Sequence, residues 1–106
     1  MQILETFGET LRNLREKDGM PLRKLAALLD IDQSTLSKIE RNQRNATPIL
    51  IDKLAKIFSV DREQLHMTYI SDRVAYELLE EKSSNDILKL VASKIEYIKS
   101  RRKLNK

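Results

Sequence analysis

One short segment concentrates side chains that form hydrogen bonds or carry positive charge: Gln33, Ser34, Ser37, Lys38 and Arg41. The apolar residues between them, Leu36 and Ile39, have the spacing of one helix face, so the polar set points to the opposite face. Gln forms bidentate hydrogen bonds with adenine, Ser bonds to bases or phosphates, and Lys favours guanine or phosphate. A face that is only solvated more usually carries Glu and Lys. These residue types can contact the bases and phosphates of a nucleic acid, although without further sequence support a solvated helix face is the simpler interpretation.

Two short helices joined by a tight turn are predicted to position this face. The apolar residues of the first helix share one side: Leu22, Leu25, Ala26 and Leu29. Ile31 fills the corner between the helices. Asp32 is predicted to cap the second helix, because its carboxylate can accept from the free backbone N–H groups of Ser34 or Thr35.

The segment from Leu29 to Asn42 resembles the turn and recognition helix of the lambda repressor/Cro-like (XRE) helix-turn-helix family. It reads L-D-I-D-Q-S-T-L-S-K-I-E-R-N, whereas the usual family pattern is L-G-V-S-x-S-T-I-S-x-I-E-x-G. Asp30 and Asn42 replace Gly, and Asp32 replaces Ser. Because Asp and Asn tolerate the left-handed conformation better than other non-Gly residues, the same backbone is expected.

The resemblance implies DNA contacts for the polar residues of this segment. The N-terminal residues of a recognition helix lie deepest in the major groove. We therefore expect base reading from Gln33, Ser34, Ser37 and Lys38. We expect contacts to the DNA backbone from Arg23, Lys24, Thr35, Arg41, Asn42 and Arg44. Leu22 stands where the family often has a Gln that braces the helix on a phosphate, and Arg23 or Lys24 could supply that contact instead.

Arg15 and Glu40 match two family positions that commonly form an ion pair. The resemblance places this pair between the first and third helices, partly buried. Its expected role is structural, since removal of one partner leaves the other charge without compensation.

The rest of the chain predicts an all-α protein, because helix formers dominate and there are only two Gly and two Pro. A first helix is expected over residues 5–18, a fourth after the cap Thr47, and a short fifth after the cap Asp61. Residues 1–66 are thus expected to form a five-helix lambda repressor-like helix-turn-helix domain. The resemblance covers residues 5–66 and then stops.

Residues 67–106 are predicted to form a C-terminal extension of two amphipathic helices. Their apolar stripes are the expected dimer interface: Ile70, Val74, Leu78, Ile87, Val91, Ile95 and Ile98. Two such helices have more apolar surface than a short hairpin can hide alone. They therefore pack on the first domain, on a second copy of the chain, or on both.

Composition excludes several other classes of function. The chain has no Cys, which excludes disulfides and zinc fingers, and His66 is its single histidine, without a ligand cluster around it. We therefore expect no metal site, no cofactor and no enzyme. No signal peptide or membrane span is recognisable, so a cytoplasmic protein is expected. The net charge of +4 is weak support for DNA binding, because most of the excess lies in the tail after residue 98.

The leading hypothesis is a sequence-specific transcriptional regulator, most simply a repressor, that binds a palindromic operator in double-stranded DNA as a homodimer. A restriction–modification controller and a phage-type repressor both fit the size. The alternative is an antitoxin, with a toxin as partner, or a protein-interaction module that works through its C-terminal helices. The nearly balanced charge of residues 1–67 and Leu22 favour this alternative, whereas the intact face from Gln33 to Arg41 opposes it.

Overall fold

The computed structural model describes residues 4–104, and all regular secondary structure in that range is helical. The six helices are α1 (Phe7–Lys17), α2 (Leu22–Leu29), α3 (Gln33–Glu40), α4 (Pro48–Phe58), α5 (Arg62–Leu78) and α6 (Ser84–Leu104). The predicted all-α fold is confirmed.

Polar side chains define the ends of these helices. Thr6 Oγ1 accepts from the backbone N–H of Glu9, and the Glu9 carboxylate accepts from the N–H of Thr6, which is a capping box at the start of α1. Gly19, at φ 65°, follows the end of α1. Thr47 Oγ1 accepts from the N–H of Leu50 at 3.2 Å and caps α4 as predicted.

The predicted cap of α3 does not form. Asp32 is the N-cap residue of this helix, with φ −69° and ψ 148°, but its side chain makes no capping hydrogen bond to Ser34 or Thr35. Asp32 is exposed, so its carboxylate can be hydrated without that bond.

The predicted fifth helix and the first predicted C-terminal helix are one continuous element, α5. The expected break near residue 67 is absent, because neither Gly nor Pro occurs between Arg62 and Leu78 to interrupt the backbone hydrogen bonds. Within residues 4–104 the chain thus has one helix fewer than the sequence predicts.

The chain divides into two compact units, the first ending at Val74 and the second beginning at Ala75. The sequence placed the end of the first domain at residue 66, but Tyr69 belongs to the core of the first unit. Its ring meets the Phe7 ring edge-on, with centroids 5.3 Å apart. Its hydroxyl donates to the carbonyl of Ala46 at 2.8 Å.

Helices α1 to α5 bury their apolar faces in one core within the first unit. Its side chains are Phe7, Leu11, Leu25, Ala26, Leu29, Leu36, Ile39, Ala46, Leu50, Ile51, Leu54, Ala55, Leu65 and Tyr69. Leu36 is fully buried and Ile39 is nearly so, which directs the opposite face of α3 toward solvent.

The second unit contains the end of α5 and the whole of α6. None of its described side chains, up to residue 103, is fully buried. The apolar residues of α6 stay partly exposed, including Val91 at 39% and Ile95 at 46%.

Candidate nucleic-acid interface

The outward face of α3 presents the polar residues that the sequence singled out. Gln33, Ser34 and Lys38 are exposed, while Thr35 and Ser37 are partly exposed. All of them lie on a helix of eight residues whose other side is held by Leu36 and Ile39. The structure therefore brings the four predicted base-reading residues together on one short helix.

The turn before α3 is compact because Asp30 adopts the left-handed conformation, with φ 57°. The N–H groups of Asp30 and Ile31 donate to the carbonyls of Ala27 and Ala26, at 3.1 and 3.0 Å. This is the hydrogen-bonding pattern that ends a helix at a left-handed residue. Ile31 then packs against the core, so α3 leaves the turn in a fixed direction relative to α2.

A buried ion pair holds the other end of α3 on α1. Arg15 Nε lies 2.7 Å from Glu40 Oε2, and Arg15 Nη2 lies 3.0 Å from Glu40 Oε1. The two side chains are only 13% and 6% exposed. The hydrogen bond to Glu40 raises the pKa of Arg15 above its ordinary value, so the guanidinium stays charged. A third bond, from Nη1 to the carbonyl of Met20, joins the same side chain to the segment before α2.

The start of α1 also contacts the end of α3. A Cβ added at Gly8 would lie 2.6 Å from the carbonyl oxygen of Ile39 and closer still to that of Glu40. Only Gly allows so close an approach of the two backbones. The Gly8 N–H donates to Asn42 Oδ1 at 3.1 Å, and Asn42 Nδ2 donates to Thr6 Oγ1 at 2.8 Å.

Asn42 therefore has a structural role that the sequence pattern did not indicate. It follows the C-cap residue of α3 in the left-handed conformation, with φ 62°, and its amide bonds to the start of α1. The two internal bonds use Oδ1 and one of the two Nδ2 hydrogens, so only the second Nδ2 hydrogen is left for a contact outside the protein. The sequence does not show which distant groups the amide of an Asn will bind, because those partners depend on how the helices pack.

Asp72 was likewise not identified from the sequence. Its carboxylate accepts from the N–H of Phe7 at 2.6 Å and so fixes α5 to the first turn of α1. Together with the capping box, these bonds occupy the free N–H groups of Thr6, Phe7, Gly8 and Glu9. We call this arrangement the α1 junction.

Several exposed cations lie on α2, on α3 and in the segment that follows α3. They are Arg23 and Lys24 on α2, Lys38 on α3, Arg41 just after it, and Arg44 in the connection to α4. Each is exposed, and none forms a salt bridge with another residue in the described part of the chain. Arg41 Nε donates to the carbonyl of Ser37 at 3.3 Å. Leu22 packs against the core.

The residues predicted to form a dimer interface are partly exposed apolar side chains. Ile70 and Val74 lie in the first unit, where they are 40% and 39% exposed. The remainder lie in the second unit: Leu78, Ile87, Val91, Ile95 and Ile98.

Residues 4–104 contain neither a recognisable metal site nor a helix suited to a membrane. That range has no group of three or more His, Asp or Glu side chains arranged to hold a metal ion. Its helices also lack the length and apolar character needed to cross a membrane. His66 Nδ1 is a buried atom without a hydrogen-bond partner in the same range.

Comparison with known proteins gives a consistent result for the first unit. The helix-turn-helix family pattern matches residues 11–65. Two relatives from Bacillus subtilis (strain 168) match over 63 residues, or 58% of this chain. They are the uncharacterized HTH-type transcriptional regulator RghRB, at 36% identity, and the HTH-type transcriptional repressor RghR, at 35%. The match covers 45% and 47% of these relatives, so this chain spans about half of their length.

Two solved structures share the fold. The restriction-modification controller protein C.AhdI from Aeromonas hydrophila is 37% identical, with a TM-score of 0.51 over 56% of this chain and 89% of that one. A chain of the SinR protein/SinI protein complex covers 90% of this chain and 99% of its own length, with a TM-score of 0.52. At 22% identity, this second similarity concerns the fold alone.

Proposed function

We propose a function from one premise: this chain belongs to the XRE-type helix-turn-helix family, whose members are DNA-binding transcription regulators and not enzymes. The proposed function is that of a sequence-specific repressor that binds a palindromic operator in double-stranded DNA as a homodimer. The observation that carries it is the outward face of α3, whose hydrogen-bonding side chains are at least partly exposed. Exposed cations on α2, on α3 and just after α3 form no salt bridge within residues 4–104.

The residues of this face have different proposed roles. Base edges are read by Gln33, Ser34, Ser37 and Lys38, because they lie on the recognition helix, whose N-terminal residues contact bases in the major groove. The proposed phosphate contacts come from Arg23, Lys24, Thr35, Arg41 and Arg44, and from the Nδ2 hydrogen of Asn42 that its bond to Thr6 leaves free. Phosphate contacts set the register on the duplex, and base contacts supply the sequence preference.

Repression requires only that the protein occupy its operator and block polymerase. Two of the similar proteins support a role of this kind: RghR is named a repressor, and C.AhdI is named a restriction-modification controller. A restriction–modification controller and a phage-type repressor both remain consistent with such a mechanism.

A dimer is proposed because one α3 reads too few base pairs to distinguish an operator from genomic DNA. Two copies related by a two-fold axis would read half-sites about 34 Å apart, one helical turn of DNA. The contact between copies is proposed to come from partly exposed apolar residues of α5 and α6. These residues are Ile70, Val74, Leu78, Ile87, Val91, Ile95 and Ile98.

A salt titration of affinity for random duplex DNA tests the DNA-binding function. Since phosphate contacts release counterions, the logarithm of the binding constant should fall linearly with the logarithm of salt concentration. Negligible binding at every salt concentration would contradict the proposal. That result would favour the alternative, an antitoxin or interaction module whose C-terminal helices bind another protein.

The base-reading assignment is tested by the double substitution Gln33→Ala with Ser37→Ala. Operator affinity should fall toward the affinity for random duplex, because each good base contact contributes about 1–3 kcal/mol of discrimination. Gln64→Ala with Ser71→Ala is the matched control, since it removes the same residue types from exposed positions of α5. Unchanged discrimination in a gel-shift series with the first pair would refute the assignment.

A further inference from the structure

Asp32 places an exposed carboxylate at the N-terminal end of α3. It is exposed, makes no capping hydrogen bond, and forms no salt bridge within the described residues. Gln33 and Ser34, the next two residues, are exposed as well. The carboxylate therefore belongs to the part of α3 that enters the groove in the proposed complex.

At the starts of α1, α4 and α5, by contrast, the polar cap residue accepts a hydrogen bond from a backbone N–H of its own helix. Thr6 and Thr47 each accept a backbone N–H of their helix at 3.2 Å, and Asp61 accepts the N–H of Gln64 at 3.3 Å. Asp32 has the same position and extended backbone relative to α3, yet its oxygens remain available. A capping hydrogen bond therefore does not account for the acidic residue at this position.

An acidic group close to DNA is repelled by phosphates unless it meets a hydrogen-bond donor. In the major groove the donors are the N4 amino group of cytosine and the N6 amino group of adenine. Adenine N6 is adjacent to the acceptor N7, which repels a carboxylate. Cytosine N4 has a C–H group beside it and is the better partner for an acid.

We infer that Asp32 is a specificity-determining residue that selects one cytosine in each half-site by accepting from its N4 amino group. The inference rests on the proposed DNA-binding function and adds a fifth base contact to α3. The same carboxylate lowers affinity for sites without that cytosine, because it then faces the duplex without a donor.

Asp30 provides a matched control within the same turn. It is also an exposed acid, but it lies before the corner in the left-handed conformation, with φ 57°, and two residues farther from the start of α3. Asp30→Asn removes the same charge and keeps a residue type that tolerates this conformation. Asp32→Ala removes the proposed contact without loss of a capping bond, and Asp32→Ser restores a residue with strong capping preference.

The experiment selects operators from a randomised duplex library with the full chain and with each variant. The wild-type protein should require a cytosine at one position of each half-site. Replacement of that C·G pair in one half-site should weaken wild-type binding about fivefold or more, at the lower end expected for a base contact. The Asp32→Ala and Asp32→Ser variants should lose this preference, whereas Asp30→Asn should retain it. Both kinds of variant should bind random duplex more tightly at low salt, since each removes a negative charge.

Two results would overturn the inference, and they differ in what else they refute. If the Asp32 variants keep every base preference of the wild type, Asp32 does not read a base while the proposed regulator function stands. If the wild type binds all duplexes equally, the proposed function fails together with the inference. Thermal melting of each variant, followed by circular dichroism, shows whether its fold is retained at the assay temperature.

Discussion

The first unit buries the apolar faces of its helices, whereas the second unit leaves its apolar stripe in contact with solvent. Leu36 in α3 is fully buried, while Val91 and Ile95 in α6 remain 39% and 46% exposed. Both helices have apolar residues at helical spacing, and α6 is the longer of the two. The difference shows that amphipathic spacing predicts a helix but does not specify what covers its apolar face.

This contrast predicts that the stability of the two units depends differently on protein concentration. The first unit has its own core, so its stability is a property of the single chain. The exposed stripe of α6 gains stability only when a second apolar surface covers it, at about 25 cal/mol for each Å² removed from water. Association with a second copy would make that gain depend on concentration by mass action.

The largest expected effect comes from charges placed on the stripe. Val91→Lys with Ile95→Lys should dissociate the proposed dimer, because two ammonium groups would have to be buried without partners. Sedimentation equilibrium should then give a monomer, and operator affinity should fall about 100-fold or more with the loss of the second half-site contact. Unfolding of the first unit should be unchanged.

Ser93→Lys is the control for this change, since it adds a charge to the face of α6 opposite the stripe. It should remain dimeric at the same protein concentration. A dimer that persists in the double variant would show that the interface lies in the first unit.

The buried ion pair allows the corresponding test of the first unit. Arg15→Met should lower the free energy of unfolding by about 3–5 kcal/mol, because Glu40 would stay buried without a partner. Arg12→Met removes one partner of an exposed pair with Glu16 and should cost no more than about 1 kcal/mol. Urea unfolding followed by circular dichroism measures both. The double variant Arg15→Met with Glu40→Met should be more stable than Arg15→Met alone. Equal free energies of unfolding would show that the unpaired Glu40 carboxylate is not the cause of the loss.

Substitution of the two glycines separates the cost of steric overlap, at Gly8, from the cost of an unfavourable backbone conformation, at Gly19. Gly8→Ala should cost about 1–3 kcal/mol, because the added methyl group overlaps the carbonyls of Ile39 and Glu40 and must displace α3 from α1. Gly19→Ala meets no atom within 4 Å but must adopt φ 65°, which costs roughly 1–2 kcal/mol. Operator affinity separates them, since only the change at Gly8 shifts the recognition helix. Equal losses of affinity in folded samples would contradict this distinction.

The smallest effect concerns the two positions where the family pattern has Gly. Asp30→Gly should leave the free energy of unfolding unchanged or raise it slightly, because Gly adopts a positive φ without steric cost. Asn42→Gly should instead cost about 1 kcal/mol net, since it removes the hydrogen bonds to Gly8 and Thr6. Thermal denaturation of the two variants side by side compares them. A gain in stability from Asn42→Gly would show that the amide contributes little.

The features that follow from local spacing could be predicted from the sequence. The buried Leu36 and Ile39, the cap Thr47 and the left-handed Asp30 all depend on residues near them in the chain. The bond from Asp72 to Phe7 could not be predicted, because it joins groups 65 residues apart and depends on the packing of α5. The sequence also predicts a boundary within α5, because two helical patterns lie side by side there. No residue interrupts the helix at that point, so α5 is continuous.

The roles of polar residues were the least accessible part of the candidate site. Asn42 and Asp32 both have residue types suited to contacts with solvent, DNA or backbone, and sequence alone does not distinguish these partners. The structure shows the Asn42 amide bound to α1 and the Asp32 carboxylate free of α3.

The α1 junction has a consequence for the order in which the first unit folds. The bonds from Phe7 to Asp72 and from Gly8 to Asn42 join residues 65 and 34 positions apart, so neither forms until α3 and α5 have reached their native positions. Closure of such long loops is entropically costly and is therefore expected late in folding. The N–H groups of Phe7 and Gly8, which in most helices exchange rapidly with solvent as first-turn amides, would here exchange slowly and report opening of the whole unit.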